Sequence, residues 1–238
     1  MNESSKKTNS TKRNTAVIVA IILVCILAIG GTIAYLTSHS ELTNTFTVGS
    51  INPIDPDKPG PGDGEIPEKD KTDETKLKGN LYEPSWIQNS KIFPSAKIDK
   101  DPYVGVGPGS EASVVYVYVK NTMANNEHIY FDINAGWEAV EPITTKDGAH
   151  YIGGIFKYTS GLDAENVKDK NVWTTMPLFS KVIVSENAVA GDFVVAGGSD
   201  IGEIKVQAFI HQAKDANKGT IDDKIILEAA KKAFKINN

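Results

Sequence analysis

Between residues 103 and 211, short runs rich in Val, Ile, Tyr and Phe recur between turn signals, with no helical pattern between them. The runs are 103–106, 114–120, 129–133, 151–159, 181–185, 192–195 and 203–211. β-Branched and aromatic side chains suit a pleated, half-buried surface, so each run predicts a strand. In 203–211, Ile204, Val206, Ala208 and Ile210 share one face while Lys205, Gln207 and His211 take the other, which predicts one buried face. Residues 114–119 are apolar on both faces, which suits a central strand. Turns are marked by Gly107-Pro108-Gly109, Asn125-Asn126, Lys146-Asp147-Gly148, Gly161 and Gly197-Gly198. Many short strands without intervening helices predict an all-β, two-sheet sandwich.

One helix is signalled, near the C-terminal end. Thr220 with Asp223 three residues on resembles a capping box, and Ile226, Ala229, Ala230, Ala233 and Phe234 then form a single stripe. Asp222 and Asp223 near its start and Lys231, Lys232 and Lys235 near its end complement the helix dipole. This amphipathic helix is expected to pack on the edge of the sandwich.

The N-terminal region has a different character. Lys6, Lys7, Lys12 and Arg13 precede an apolar run, 16–29, that leads into Gly30-Gly31-Thr32-Ile33-Ala34. Basic, apolar and small residues in that order form a signal peptide, here residues 1–34. Thr32 and Ala34 stand at the small-residue positions of a cut before Tyr35, where the peptidase pocket excludes bulk. Counted on to Leu36 the run reaches twenty-one residues, a length that also suits a retained anchor, since a span needs about twenty. Val24 and Leu23 before Cys25 are larger than a lipid-attachment site accepts, so Cys25 reads as apolar filler of the signal.

Residues 35–51 follow as an N-terminal strand, with Leu42, Asn44, Phe46 and Val48 alternating against Thr43, Thr45 and Thr47. From 52 to 76 the chain holds five of its eleven prolines, three glycines, eight acids, four lysines and no aromatic residue. That composition predicts a linker, with a reach on the order of 80 Å at about 3.1 Å per residue. The sandwich domain is expected to span 77–238. The acidic loop at 55–65 lacks the spacing of a calcium-binding EF-hand, and its prolines oppose the required wrap.

Composition narrows the function classes. Twenty-five Lys and Arg against thirty Asp and Glu give a net charge of −5, with no basic block outside the first thirteen residues, which disfavours nucleic acid as a partner. One Cys and four His remove disulfide frameworks and thiolate metal clusters. His39, His128, His150 and His211 are far apart and form no HExxH motif, and no GxSxG nucleophile elbow occurs. The run from Gly105 to Gly109 reads as a turn rather than a phosphate loop, because Pro108 supplies no N–H and a strand follows. Glu138 and Glu141 read as solvated carboxylates, and Tyr116, Tyr118 and Tyr130 as sheet packing rather than a carbohydrate platform. No catalytic, metal or cofactor residues are assigned, and no cofactor is expected.

The segment Gly30-Gly31-Thr32-Ile33-Ala34-Tyr35-Leu36-Thr37, followed by Asn44-Thr45-Phe46-Thr47-Val48-Gly49, closely resembles the start of the TasA/camelysin family of exported bacterial proteins. Glu83-Pro84-Ser85-Trp86, Ile98-Asp99-Lys100-Asp101-Pro102, residues 113–120 and residues 204–212 resemble the family body. The resemblance implies export through a SipW-type signal peptidase, a jelly-roll-like sandwich, and a secreted or cell-surface place in a Gram-positive-type envelope. It also implies biofilm-matrix fibres in which the N-terminal strand of one subunit adds to the next. Carried over, residues 35–50 are the donor strand, with Leu42, Phe46 and Val48 filling the neighbour's groove. The partner is then a second copy of the chain or a related matrix subunit, and the membrane is met only through the N-terminal segment before cleavage. The camelysin branch implies a competing reading as a cell-surface metalloprotease, and a membrane-anchored adhesin or lectin-like module is a third. The expected function is structural and non-enzymatic.

Overall fold

Residues 113–121 read SVVYVYVKN, and their two apolar faces determine how the rest of the chain is layered. The computed structural model describes residues 51–87, 92–123, 126–195, 197–198, 202–215, 217 and 219–236. These hold the strands β1 (Leu77–Lys78), β2 (Leu81–Tyr82), β3 (Lys97–Asp99), β4 (Tyr103–Val106), β5 (Ser113–Asn121) and β6 (Ile129–Tyr130). Further on come β7 (Trp137–Thr145), β8 (Tyr151–Leu162), β9 (Val172–Trp173), β10 (Lys181–Val184) and β11 (Ile204–Gln212). The α-helices among the described residues are the single turn α1 (Glu68–Lys71) and α2 (Asp223–Ala233). The fold is mostly antiparallel sheet, in three groups ordered β1-β2-β4-β9, β3-β10-β6 and β11-β5-β8-β7.

The third sheet is the largest. β11 pairs with β5 along its whole length, from Ile204 opposite Asn121 to Gln212 opposite Ser113. β8 takes the other side of β5, with a register shift near Ser113 where Gly161 sits at φ +65°. A Cβ at Gly161 would lie 2.6 Å from the Ser113 carbonyl oxygen, so this irregularity requires glycine. One face of the sheet presents Val115, Val117, Phe156, Val206 and Ile210 to a core shared with Leu81, Val104 and Val106 of the first sheet and Ile129 and Val182 of the second. Phe131 lies at the centre of that core, 4.3 Å from the Phe179 ring and 5.6 Å from Phe156 between centroids.

The opposite face presents Tyr116, Ile155 and Phe209 to Ile226, Ala230, Ala233 and Phe234 of the C-terminal helix region. α2 therefore covers a sheet face rather than the sandwich edge, which is why β5 is apolar on both sides. Its N-cap is Asp222, whose carboxylate accepts the Lys224 N–H at 2.9 Å, two residues beyond the expected Thr220.

β7 is a long strand that hydrophobic pattern alone did not predict. Pro142 interrupts it, and proline lacks the N–H a central strand must donate. The structure accommodates it at a sheet edge, with a register shift between Val140 and Ile143. The strand expected at 192–195 is instead a 3₁₀ turn, Ala190–Phe193, with Val195 in a single bridge to Met123. The Asp192 carboxylate accepts the Val189 N–H at 2.8 Å, a local hydrogen bond that competes with an extended backbone.

Residues 52–76, expected to be a linker, are a strap fastened to the domain. Ile51 is 3% exposed in the main core, and Ile54 and Ile66 are buried with Leu77 and Tyr82 in a second cluster. Asn52 donates its side-chain Nδ2–H to Pro108 O at 2.6 Å and its N–H to Ser110 Oγ at 2.9 Å, and its carbonyl accepts the Gly107 N–H at 3.0 Å. Asp55 and Asn171 exchange two hydrogen bonds, of 2.9 and 2.8 Å, and the Trp173 indole donates to Pro59 O at 3.0 Å. Three isoleucines and a few backbone contacts suffice because prolines restrict the unfolded chain and so lower the entropy lost on ordering. The domain therefore begins by residue 51, not 77.

A Cβ at Gly107 would lie 2.0 Å from Pro53 O. Gly107→Ala should dislodge the strap, cost about 1–3 kcal/mol as other overpacked sites do, and open 52–76 to protease. Urea unfolding and limited proteolysis with terminal sequencing test this; an unchanged cleavage pattern would show that the strap does not depend on that contact.

Burial against α2 pushes the Tyr116 phenol up to about 12, and Asp223 and Glu138 add to the shift. Because the folded-state pKa is raised, the neutral phenol's contribution is complete below the ordinary value of about 10 and is lost as pH rises from there to about 12. Tyr116→Phe should flatten the fall in urea midpoint over that window; a slope identical to the parent's would locate the alkaline sensitivity elsewhere.

Candidate functional site

The main concentration of buried charge forms where two strand ends meet. β2 runs into Glu83-Pro84-Ser85-Trp86 and β3 runs into Lys100-Asp101-Pro102; in each case a proline, with no N–H to donate, helps end the ladder. Lys100 Nζ lies 2.6 Å from Glu83 Oε2, and the two side chains are 8% and 2% exposed. The Trp86 ring lies 4.3 Å from the same ammonium, a cation–π contact. Asp101, also buried, accepts the Ser85 N–H at 2.8 Å. Glu83 N–H donates to Lys76 O at 2.8 Å, and Lys76 Nζ donates to Pro84 O at 2.9 Å.

A second polar group adjoins it. The Tyr82 hydroxyl donates to Asp70 Oδ2 at 2.9 Å, and Lys76 Nζ lies 3.6 Å from Asp70 Oδ1. This ties α1, at the end of the strap, to β2. Burial pushes the Glu83 carboxyl up, the Lys100 ammonium opposes that shift, and Asp101 reinforces it. Burial likewise raises Asp101 and, with the Asp70 hydrogen bond, Tyr82. Glu83 Oε1 is buried and has no hydrogen-bond partner among the described residues.

The two segments thus joined are ones the sequence marked only as family-like; nothing in their local pattern announced that Glu83 and Lys100 would meet. The signal that was present is chemical, a carboxylate one residue and a lysine two residues before a strand-ending proline.

Thr32, Ala34 and Tyr35 of the expected cleavage site, and Leu42, Phe46 and Val48 of the expected donor strand, lie outside the described residues. Tyr116 and Tyr118 pack under α2, the latter 5.5 Å from Phe234 between ring centroids, as sheet-face packing requires. The Tyr130 ring lies tilted against His150, 4.9 Å between centroids, and beneath Lys146 Nζ at 4.1 Å. Glu138 lies 3.9 Å from Lys157. The run from Gly105 to Gly109 is engaged by Asn52 of the strap.

The histidines are dispersed: His128 Nδ1 contacts Asp192 at 2.7 Å, His150 Nδ1 contacts Asp132 at 2.5 Å, and His211 Nδ1 contacts Gln212 O at 2.8 Å. Among the described residues no group of three or more His, Cys, Asp or Glu is arranged to hold a metal ion. No family model, curated protein or solved structure matches the chain.

Asp70→Ala would leave the buried Tyr82 hydroxyl without its acceptor and should cost about 1–3 kcal/mol. Adding Tyr82→Phe should make the double variant lose less than the sum of the single changes, as a urea double-mutant cycle would show. Strict additivity would mean that the pair is not coupled.

Proposed function

We propose that the chain is an exported, non-enzymatic structural protein of a bacterial cell surface or biofilm matrix, with a jelly-roll-like sandwich that assembles head to tail through its N-terminal strand. The observation that carries this reading is the fixed entry of the chain at Ile51 and Asn52. In the sequence the period-two segment ends at Val48, three residues before this anchored point, rather than on the far side of a twenty-five-residue tether, and on the proposed reading it is the donor strand.

An acceptor edge is also at hand. Among the described residues β11 pairs with β5 alone and β7 with β8 alone, so each leaves one side of its backbone open for strand addition. Main-chain hydrogen bonds would supply affinity, while Leu42, Phe46 and Val48 on one face would set the register. A head-to-tail contact that does not close extends into a filament. The likeness of residues 30–37 and 44–49 to exported TasA/camelysin proteins supports both the export step, with a signal peptidase cutting after Ala34, and the fibre. The partner on this reading is a second copy of the chain or a related matrix subunit.

Negative-stain electron microscopy of residues 35–238 and residues 51–238, over one concentration series, tests the proposal. Filaments are expected from the longer chain alone; monomers from both would overturn it. Within the longer chain, Phe46→Asp places a carboxylate in the acceptor groove at a cost of about 3–5 kcal/mol. Light scattering should then show no assembly while the thermal melt of the domain is unchanged; assembly equal to the parent's would remove Phe46 from the contact.

A further inference from the structure

We propose that Lys100 and Glu83 condense into an intramolecular amide, a self-formed cross-link that ties the first sheet to the second. Glu83 follows the last residue of β2 and Lys100 the last residue of β3, and these two strands belong to different sheets that share no ladder. A bond between them would join the sheets where backbone pairing does not. The only Cys of the chain is Cys25, so no disulfide can serve that purpose in the domain.

The geometry is that of reactants held in place. Nζ and Oε2 are 2.6 Å apart, both side chains are nearly excluded from water, and the Trp86 ring covers the amine at 4.3 Å. Holding two groups in contact replaces a bimolecular encounter with an intramolecular step. As an ion pair the arrangement is poorly compensated: Glu83 Oε1 is buried without a partner among the described residues, and two charges are withdrawn from water. Burial favours the protonated acid at Glu83, which is the form that can acylate an amine. Asp101, the residue after Lys100, is buried, its Oδ1 accepts the Ser85 N–H at 2.8 Å two residues beyond Glu83, and its charge acts on the Glu83 carboxyl, so we assign to it the transfer of a proton between nitrogen and leaving oxygen.

The step balances without any co-reactant. Proton transfer from Nζ to the carboxylate gives a neutral amine and a carboxylic acid. The Nζ lone pair then forms a bond to Glu83 Cδ. One Cδ–O bond breaks, and that oxygen leaves as water, carrying the acid proton and a second proton from Nζ by way of Asp101. The product is a neutral secondary amide in place of two buried charges. The cross-link goes beyond the structural role proposed above and does not depend on whether the chain polymerises.

The test is the intact mass of the purified full-length chain under denaturing conditions, with the amino terminus of each sample identified by sequencing. The expected mass is one water below that of the sequence, with a peptide map that joins the fragments containing Glu83 and Lys100. Lys100→Arg keeps the charge but removes the nucleophile, and should retain its full sequence mass. Asp101→Asn should slow closure at least tenfold, seen as a time-dependent mixture of the two masses; complete closure at the parent rate would remove Asp101 from the step. A parent chain that is folded by circular dichroism yet has its full sequence mass would overturn the proposal, whatever the variants do.

Discussion

Everything in this fold is arranged around a strand that must be covered on both faces. β5 turns Val115, Val117 and Val119 to the main core and Tyr116 to the helix. Leaving either row in water would forfeit roughly 1.5–3 kcal/mol per large side chain. One cover comes from the first and second sheets, whose strands are mostly two to four residues long. The other comes from α2, whose small Ala230 and Ala233 allow close approach to Tyr116 and Phe209. The order of layers, helix over large sheet over small sheets, follows from that one constraint.

The short strands have little ladder of their own, and they are held by what flanks them. Asn52, Asp55 and Pro59 of the strap bind the Gly107 to Ser110 turn, Asn171 and Trp173, so the first sheet is stitched from outside along its β4 and β9 side. The buried group around Glu83 and Lys100 joins that sheet to the second. A domain without disulfides has here substituted polar contacts between distant segments for long backbone pairing. Under the fibre role proposed above, load would run along the chain, and the joint between sheets is where the proposed covalent reinforcement would matter most.

Three of the four long strands, β5, β8 and β11, and the shorter β4 and β10 follow from alternating or continuous apolar runs between turn residues, and the stripe from Ile226 to Phe234 was sufficient to predict α2. The failures have physical causes. Pro142 disguised β7, because proline is excluded from central strands and is tolerated only at the edge this strand occupies. Asp192 diverted 192–195 into a turn through its own side-chain hydrogen bond. The strap was read as a linker because its composition has too few apolar residues for a core of its own, yet it needs none, since it borrows the core beneath it. The site was the least legible part: Glu83 and Lys100 were seen only as members of separate motifs.

By itself the sequence determined the strand-rich class, the two-sided character of β5 and the amphipathic helix, because alternation and periodicity are properties of neighbouring residues. Only the tertiary structure decided that residues 51–76 belong to the domain, that α2 covers a face rather than an edge, and that Glu83 faces Lys100. Each of these depends on contacts between residues far apart in the chain, such as Asp55 with Asn171 and Glu83 with Lys100. Such contacts leave no periodic trace in the sequence, because what stabilises them is the removal of both partners from water at one place in space.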